Sequence, residues 1–515
     1  MTVARKMLQT AVSAGVEICF ANPGTTEMAW VSALDQISGL RPVLCLFEGV
    51  CTGAADGYGR MKGAPALTLL HLGPGFANGI ANLHNARRAR TPVVNLIGDH
   101  ATRHQDADAP LASDIESLAK PVSAWLRSTS SPEAASADLG EAIVESGGCP
   151  GQVCSLIVPA DLAEASLSGP PPSPRPRRTP PKVAADTIDA VARQLHQVTE
   201  PVTMLLGGNA LSREGLEAAG RIAAKTGARL VTETFPARWE RGTSVPAAER
   251  LPYLPEQATA FLGKTECLWL AGARSPVAFF AYPDIPSVIA ADIPRCVLAK
   301  PEEDAAQALI ELADALDAQA QPPFAPRVAA PPLGTGGLDP LQLGAILAHR
   351  LPEAAIVVDE AATSGLPFSL AGSGAADHTL LTLTGGAIGQ GPPCATGAAI
   401  ACPDRTVIDF QADGSAMYTF QSLWTQAREG LRVITVLCAN RAYRILRVEL
   451  ARAGVAEPGP HARALTSLES PTIDWVLLAQ SLGVPGERAA TSEGFDAALR
   501  RALAAEGPAF IEVVL

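Results

Sequence analysis

Thr406 to Tyr443, TVIDFQADGSAMYTFQSLWTQAREGLRVITVLCANRAY, holds two side chains suited to a hard cation, at a separation that folding can close. The pattern predicts a strand ending near Gln411, an Asp-Gly-Ser turn, a helix from about Ala416 to Glu429, and a return strand from Arg432 to Cys438 just before Asn440. A helix of about 14 residues covers roughly 21 Å, and seven strand residues cover roughly 23 Å. The two paths nearly cancel, so Asp413 and Asn440 should meet at one edge of a sheet. A carboxylate with an amide carbonyl suits magnesium, which leaves its other positions to water, a main-chain carbonyl and phosphate oxygens. Gly414 and Ser415 stand at the helix start, where free amides and the dipole favour an anion. A merely capped turn would explain Asp-Gly alone, but not both residues falling at strand ends.

A second acid, Glu48, follows the apolar run Val43 to Phe47 and precedes glycines at 49, 53, 57 and 59. A carboxylate beside a buried strand is poorly solvated and ready to hydrogen-bond a ring nitrogen; otherwise it is an acid favoured at a helix N-terminus. The glycines permit close backbone approach, as at a tight interface. His71, in LLHLGPG, is of a residue type that suits proton delivery, or else simply packs at a strand end. His100 and His104 in GDHATRH have i, i+4 spacing, which fits a metal pair or, more simply, histidines on the rim of a site.

Positioning such residues takes parallel sheets. Short apolar runs recur, each followed by small residues and a helical period: Ala66 to Leu70, Val93 to Ile97, Val153 to Val158, Thr203 to Leu206, Cys267 to Leu270, Ala355 to Val358, Val407 to Phe410, Val433 to Leu437 and Phe510 to Val514. Two proline-rich stretches, GPPPSPRPRRTPPK from Gly169 and QPPFAPRVAAPPLGTGG from Gln321, forbid helix and ladder alike. The expected division is 1–168, a connector 169–183, 184–320, a connector 321–338, and 339–515: three doubly wound α/β domains in series, binding ligands beyond the carboxyl ends of their strands.

The chain has 515 residues, 47% hydrophobic and 18% charged, enough to bury large cores. A formal charge of −12 argues against nucleic acid or an anionic membrane as partner. Ten cysteines without a CxxC pair suggest reduced thiols, and no apolar run reaches about 18 residues. A soluble, cytoplasmic protein is expected.

The segments ANPGTTE (21–27), FEGVCTGAADGYGRM (47–61), GPGFANG (73–79), GGAIGQGPP (385–393), ADGS (412–415) and ANRAY (439–443) together resemble the thiamine-diphosphate-dependent family that includes acetolactate synthase and benzoylformate decarboxylase. The resemblance spans nearly the whole chain, in the order pyrimidine, central and diphosphate domain. It departs at Ala412, where the usual Gly-Asp-Gly has its first glycine. It implies that Asp413, Asn440 and the main-chain oxygen of Ala442 hold magnesium on the diphosphate, and that Gly414 and Ser415 touch phosphate. Pro23, Gly24, Asn78 and Thr363 would also contact the cofactor. Ile388 would wedge beneath it, the Gly386 carbonyl would receive its amino group, and Glu48 would hydrogen-bond its aminopyrimidine from a neighbouring subunit, in a homodimer or homotetramer.

The resemblance implies a ylid that would attack a 2-oxo acid, with CO₂ leaving to give an enamine. His71 and Thr25 match the decarboxylase's active-site histidine and substrate-contacting serine, whereas its second histidine falls near Phe280. The implied activity is 2-oxo acid decarboxylation. The alternatives are acetolactate synthase-like carboligation and a non-catalytic cofactor-binding homologue. AGARSPVAFFAY stands where flavin-bearing synthases have an Arg-Phe-Asp-Asp-Arg-like stretch, so no FAD is expected. GPGFANG and GGAIGQG lack the spacing of an NAD site. The Gly207-Gly208-Asn209 turn in the central domain is open to two readings, nucleotide or CoA site, or scaffold.

Overall fold

The structure, a computed structural model, describes residues 1–173, 178–197, 201–319 and 332–515. Residues 174–177 of the first proline-rich connector, and 320–331, which include most of the second, lie outside the described residues.

Three sheets organise the chain. The first has six parallel strands, in spatial order Arg41–Leu44, Ile18–Asn22, Ala66–Leu70, Val93–Asp99, Val153–Pro159 and Trp125–Ser128. Its central strands are mostly apolar because helices cover both faces, and their buried polar residues Thr68, Asn95 and Ser155 bond to one another across the sheet at 2.8 and 2.9 Å. Cys19, Ala21, Leu67, Leu69, Val94 and Leu96 pack with the helices Val3–Ser13 and Pro132–Ser146. Phe20, Ala66, Leu70, Val93 and Ile97 pack with the helices Glu48–Lys62 and Leu72–Ala89. Each large side chain so buried contributes about 1.5–3 kcal/mol.

The second sheet has five parallel strands: Glu249–Arg250, Arg229–Thr232, Val202–Leu206, Cys267–Ala271 and Arg295–Ala299. The third runs Gly486–Ala489, Ala509–Val514, Val433–Ala439, Val407–Ala412, Ala355–Glu360, His378–Thr382 and Trp239–Arg241. All but the last are parallel; Trp239–Arg241 pairs antiparallel with His378–Thr382. This edge strand comes from the stretch expected to be wholly central. One apolar cluster accordingly runs from Val183 through Trp239 and Trp269 to Phe368, Phe410 and Val513.

Two expected elements change. The strand at Val43 stops at Leu44, and Phe47 is the extended residue before the helix that Glu48 opens. The helix expected over Ala416 to Glu429 is two, Asp413–Ala416 and Ser422–Glu429. Between them the chain turns through three-residue backbone bonds, and the Thr419 hydroxyl donates to the Gly389 carbonyl at 2.7 Å. A hydroxyl drawn to another backbone segment competes with helix continuation.

Candidate active site

The register of the third sheet brings the two cation-suited side chains together. Ala412 pairs with Cys438 on adjacent parallel strands, so Asp413 and Asn440 both lie just past the strands' carboxyl ends. The Asp413 carboxylate is buried and accepts the Gly414 amide at 2.8 Å and the Arg441 amide at 2.6 Å. Burial pushes its carboxyl up from the ordinary range, while those amides hold it down. The Asn440 side-chain oxygen accepts the Ala442 amide at 2.9 Å, folding the Asn-Arg-Ala turn toward Asp413, with Arg441 at φ +56°. Gly414 and Ser415 are buried beside Asp413, and a Cβ on Gly414 would stand 2.4 Å from the Tyr443 ring. A buried carboxylate answered by backbone amides, beside an amide carbonyl, fits a divalent cation that brings its own phosphate and water ligands. Among the described residues no three His, Cys, Asp or Glu side chains gather to hold a metal by themselves.

Glu48 is buried at the first position of its helix, and its carboxylate accepts the Asn78 amide at 2.9 Å. The same helix seats the loop that carries Gly386 and Ile388. Asn82, one helix on, donates to the Gly49 carbonyl at 2.8 Å and to the Gly389 carbonyl at 3.4 Å. Asn85 clasps Ala387 from both sides, at 2.7 Å to its carbonyl and 3.2 Å from its amide. Gly386 is exposed at φ +76° and Ile388 is half-buried. Thr363 is half-buried in the turn after Ala355–Glu360, next to Ala362 at φ +49°. Positive φ at Leu72, Ala362 and Arg441, none of them glycine, puts strained backbone beside His71, Thr363 and Asn440.

His71 precedes the helix Leu72–Ala89, and its Nδ1 lies 2.8 Å from the Glu27 carboxylate. Glu27 is fully buried and also accepts the Gly24 amide at 2.7 Å and the Thr26 hydroxyl at 2.6 Å. This contact engages Nδ1 and leaves Nε2 outside it. Gly24 leaves no room for a side chain, since a Cβ there would stand 2.3 Å from the His71 ring. Pro23 is half-buried next to it, and Thr25 is exposed, lining with Thr26, His100, Arg103, His104 and Glu164 an open pocket of about 480 Å³. The His100 and His104 rings meet edge-on, 5.3 Å apart, on this rim.

Phe280 is exposed beside Phe279, which packs on Phe235 and Tyr253. In the second sheet the glycines after Val202–Leu206 and Cys267–Ala271 serve backbone approach: a Cβ on Gly272 would stand 2.4 Å from the Gly207 carbonyl. Asn209 there ties down the helix Ala305–Ala315, accepting the Ala305 amide at 3.1 Å.

Residue reasoning missed Glu27, the bidentate ion pair of Arg60 with Asp56 at 2.8 and 2.6 Å, and Glu360. The Asp-Arg pair at i, i+4 in a helix otherwise built of small residues was a visible signal. Glu360 ends the apolar strand Ala355–Glu360, a signal of the kind read at Glu48, whereas Glu27 lies in the short turn Thr25–Glu27 beyond the strand Ile18–Asn22.

Parallel sheets that carry a buried carboxylate and an amide carbonyl at one set of strand ends, and a buried helix-start glutamate at another, fit the class of enzymes that use a diphosphate cofactor. Residues 1–118 match the model described as thiamine pyrophosphate enzyme, N-terminal TPP binding domain, and residues 371–513 match its C-terminal TPP binding domain. The chain is 49% identical, over 100% of its length and 99% of the other, to a Mycobacterium tuberculosis protein named "Putative acetolactate synthase large subunit IlvX". It is 28% identical to the benzoylformate decarboxylase of Pseudomonas aeruginosa, across 97% of this chain and 96% of that one. A solved structure, the Rhodococcus jostii thiamine diphosphate-dependent 4-hydroxybenzoylformate decarboxylase, superposes with a TM-score of 0.88 at 25% identity, covering 99% of this chain and 98% of that one. The chain belongs to the thiamine-diphosphate-dependent enzyme family. Among the described residues no helix is long and apolar enough to cross a membrane.

Proposed function

We propose that this protein decarboxylates a 2-oxo acid with thiamine diphosphate and magnesium, releasing an aldehyde. The observation that carries the reading is the buried Glu27 carboxylate bonded to His71 Nδ1 at 2.8 Å, beside the pocket that Thr25 lines. The cofactor supplies a carbon nucleophile and an electron sink for the departing CO₂. Asp413, Asn440 and the Ala442 carbonyl would hold the magnesium, and Gly414 and Ser415 the phosphate. Glu48, fixed by Asn78, would exchange a proton with the aminopyrimidine ring from a neighbouring subunit. Pro23, Gly24, Asn78, Thr363, the Gly386 carbonyl and Ile388 would fix the ring's place and shape. Glu27 holds one ring nitrogen of His71, so the other delivers a proton to the carbon that loses CO₂. The Thr25 hydroxyl would orient the substrate carboxylate. The expected domain limits, 1–168, 184–320 and 339–515, put these groups on the first and third domains.

A second reading, acetolactate synthase-like carboligation, is favoured by the 49% identity to the Mycobacterium tuberculosis relative bearing that name. The test is CO₂ release from a panel of 2-oxo acids, pyruvate to benzoylformate, with thiamine diphosphate and magnesium. Stoichiometric aldehyde supports the decarboxylase, and a 2-hydroxy ketone or acetohydroxy acid supports the carboligase. No release from any acid would overturn both.

A further inference from the structure

Glu360 ends the strand Ala355–Glu360 and is buried beneath the turn that follows Gly386 and Ile388. One carboxylate oxygen accepts the Gly389 amide at 2.7 Å and the Gln390 amide at 3.3 Å. The other accepts the Gly391 amide at 2.7 Å and the Gln411 side-chain amide at 2.7 Å. Four donors on one buried carboxylate make charge-assisted bonds, about twice as strong as neutral ones. Burial pushes the Glu360 carboxyl up, and those same donors hold it down. Its neighbour Asp409 is wholly buried, bonded to the Thr435 hydroxyl at 3.1 Å, and its carboxyl is pushed well up by burial and then by Glu360. The four donors converge on Glu360 and a single hydroxyl on Asp409, so negative charge is better answered at Glu360.

The far side of the turn is pinned by other segments. Asn85 holds Ala387, Asn82 and the Thr419 hydroxyl hold the Gly389 carbonyl, and Gly389 itself sits at φ +93° against Tyr418. The segment from Gly386 to Gly391 is therefore tensioned between the first sheet's helices and one carboxylate of the third sheet.

We infer that Glu360 is a positioning residue of the cofactor site: by gathering the amides of Gly389, Gln390 and Gly391 into one turn, it sets where the Gly386 carbonyl and the Ile388 side chain stand. The inference rests on the proposed function, in which those two groups shape the bound cofactor. Its test reads the turn first and the cofactor second. Amide hydrogen exchange of the cofactor-free wild-type protein should find the Gly389 and Gly391 amides protected. In Glu360→Gln, which keeps the size but turns an NH₂ toward the amides, protection at 389–391 should fall about tenfold or more, with Val357 and Val436 unchanged. The same variant, still folded, should bind thiamine diphosphate with magnesium about tenfold more weakly, read by tryptophan fluorescence.

Wild-type amides exchanging at the rate of an open loop would overturn the role of Glu360 whether or not the variant folds. So would exchange that rises evenly through the third sheet, or unchanged cofactor affinity in a variant whose wild-type parent binds it. A wild-type protein that binds no thiamine diphosphate would instead overturn the functional reading beneath it.

Discussion

In the proposed mechanism Glu48 is the residue on which the chemistry turns, and its neighbours say what replacing it should do. Its carboxylate is buried and oriented by Asn78, so Glu48→Gln keeps shape and the Asn78 contact while removing the exchangeable proton. Turnover should fall about 10²–10⁴-fold with cofactor binding retained, measured as CO₂ release against a titration of thiamine diphosphate. Unchanged turnover would sink the proton-exchange role. His71→Ala should lower turnover about 10²-fold or more with little effect on cofactor affinity, because His71 faces Glu27 and Thr26 and not the cation pair. Asp413, Asn440 and Glu48 were legible in the sequence because each falls where an apolar strand or helix ends, and chain geometry alone brings the first two together. Glu27 was not, because what makes it special comes from afar: a histidine 44 positions on and a close glycine, Gly98, whose Cβ would stand 1.8 Å from its carboxylate. Only the folded sheet puts His71 and Gly98 beside it.

Elements carry the site through contacts that admit almost no side chain. The helix Gly391–Ala401 packs on Glu48–Lys62 so closely that a Cβ on Gly397 would stand 1.8 Å from the Ala54 carbonyl, and one on Gly57 2.0 Å from that of Cys394. Helix propensity alone would make Gly397→Ala stabilising by about 1 kcal/mol. Backbone overlap reverses the sign, and the variant should lose about 1–3 kcal/mol, seen as a lower melting temperature. A gain in stability would mean the helices stand farther apart. The edge strands supply a pH test. His378 is buried opposite Arg241 in the antiparallel pair, and burial, then Arg241, lowers its pKa to about 3. The unfolded chain takes up a proton below about 6.5 that the folded one refuses. Stability should therefore be full above that pH and drain as pH falls toward 3, by up to about 1.4 kcal/mol per unit. Thermal melts from pH 7 to 5 should show this slope, flattened in His378→Gln. Most strands were legible as apolar runs, but Trp239–Arg241 was not, since three residues of mixed polarity become a strand only through a neighbour. The broken helix after Asp413 escaped for a similar reason, its cause being a Thr419 bond to a distant loop.

At the scale of the whole molecule, one chain leaves apolar surface beside both halves of its site. Leu46, two residues before Glu48, and Met417 and Tyr418, just after Ser415, are each about half exposed, and Leu366 and Leu370 beyond Thr363 are about two thirds exposed. Large apolar side chains left in water next to a site suit a surface that a second subunit would cover. A symmetric dimer that buries them would complete each site with Glu48 from one subunit and Asp413 from the other. That geometry makes a prediction no single-chain site shares. Glu48→Gln and Asp413→Asn should each be inactive alone. Mixed, dissociated and reassembled, half of the dimers are hybrids, and each hybrid has one site carrying both substitutions and one carrying neither. CO₂ release should therefore return to roughly a quarter of the wild-type rate, scaled by the random pairing of a two-fold assembly. If Glu48 and Asp413 of one chain served the same site, every site in every hybrid would hold a substitution, and mixing would restore nothing.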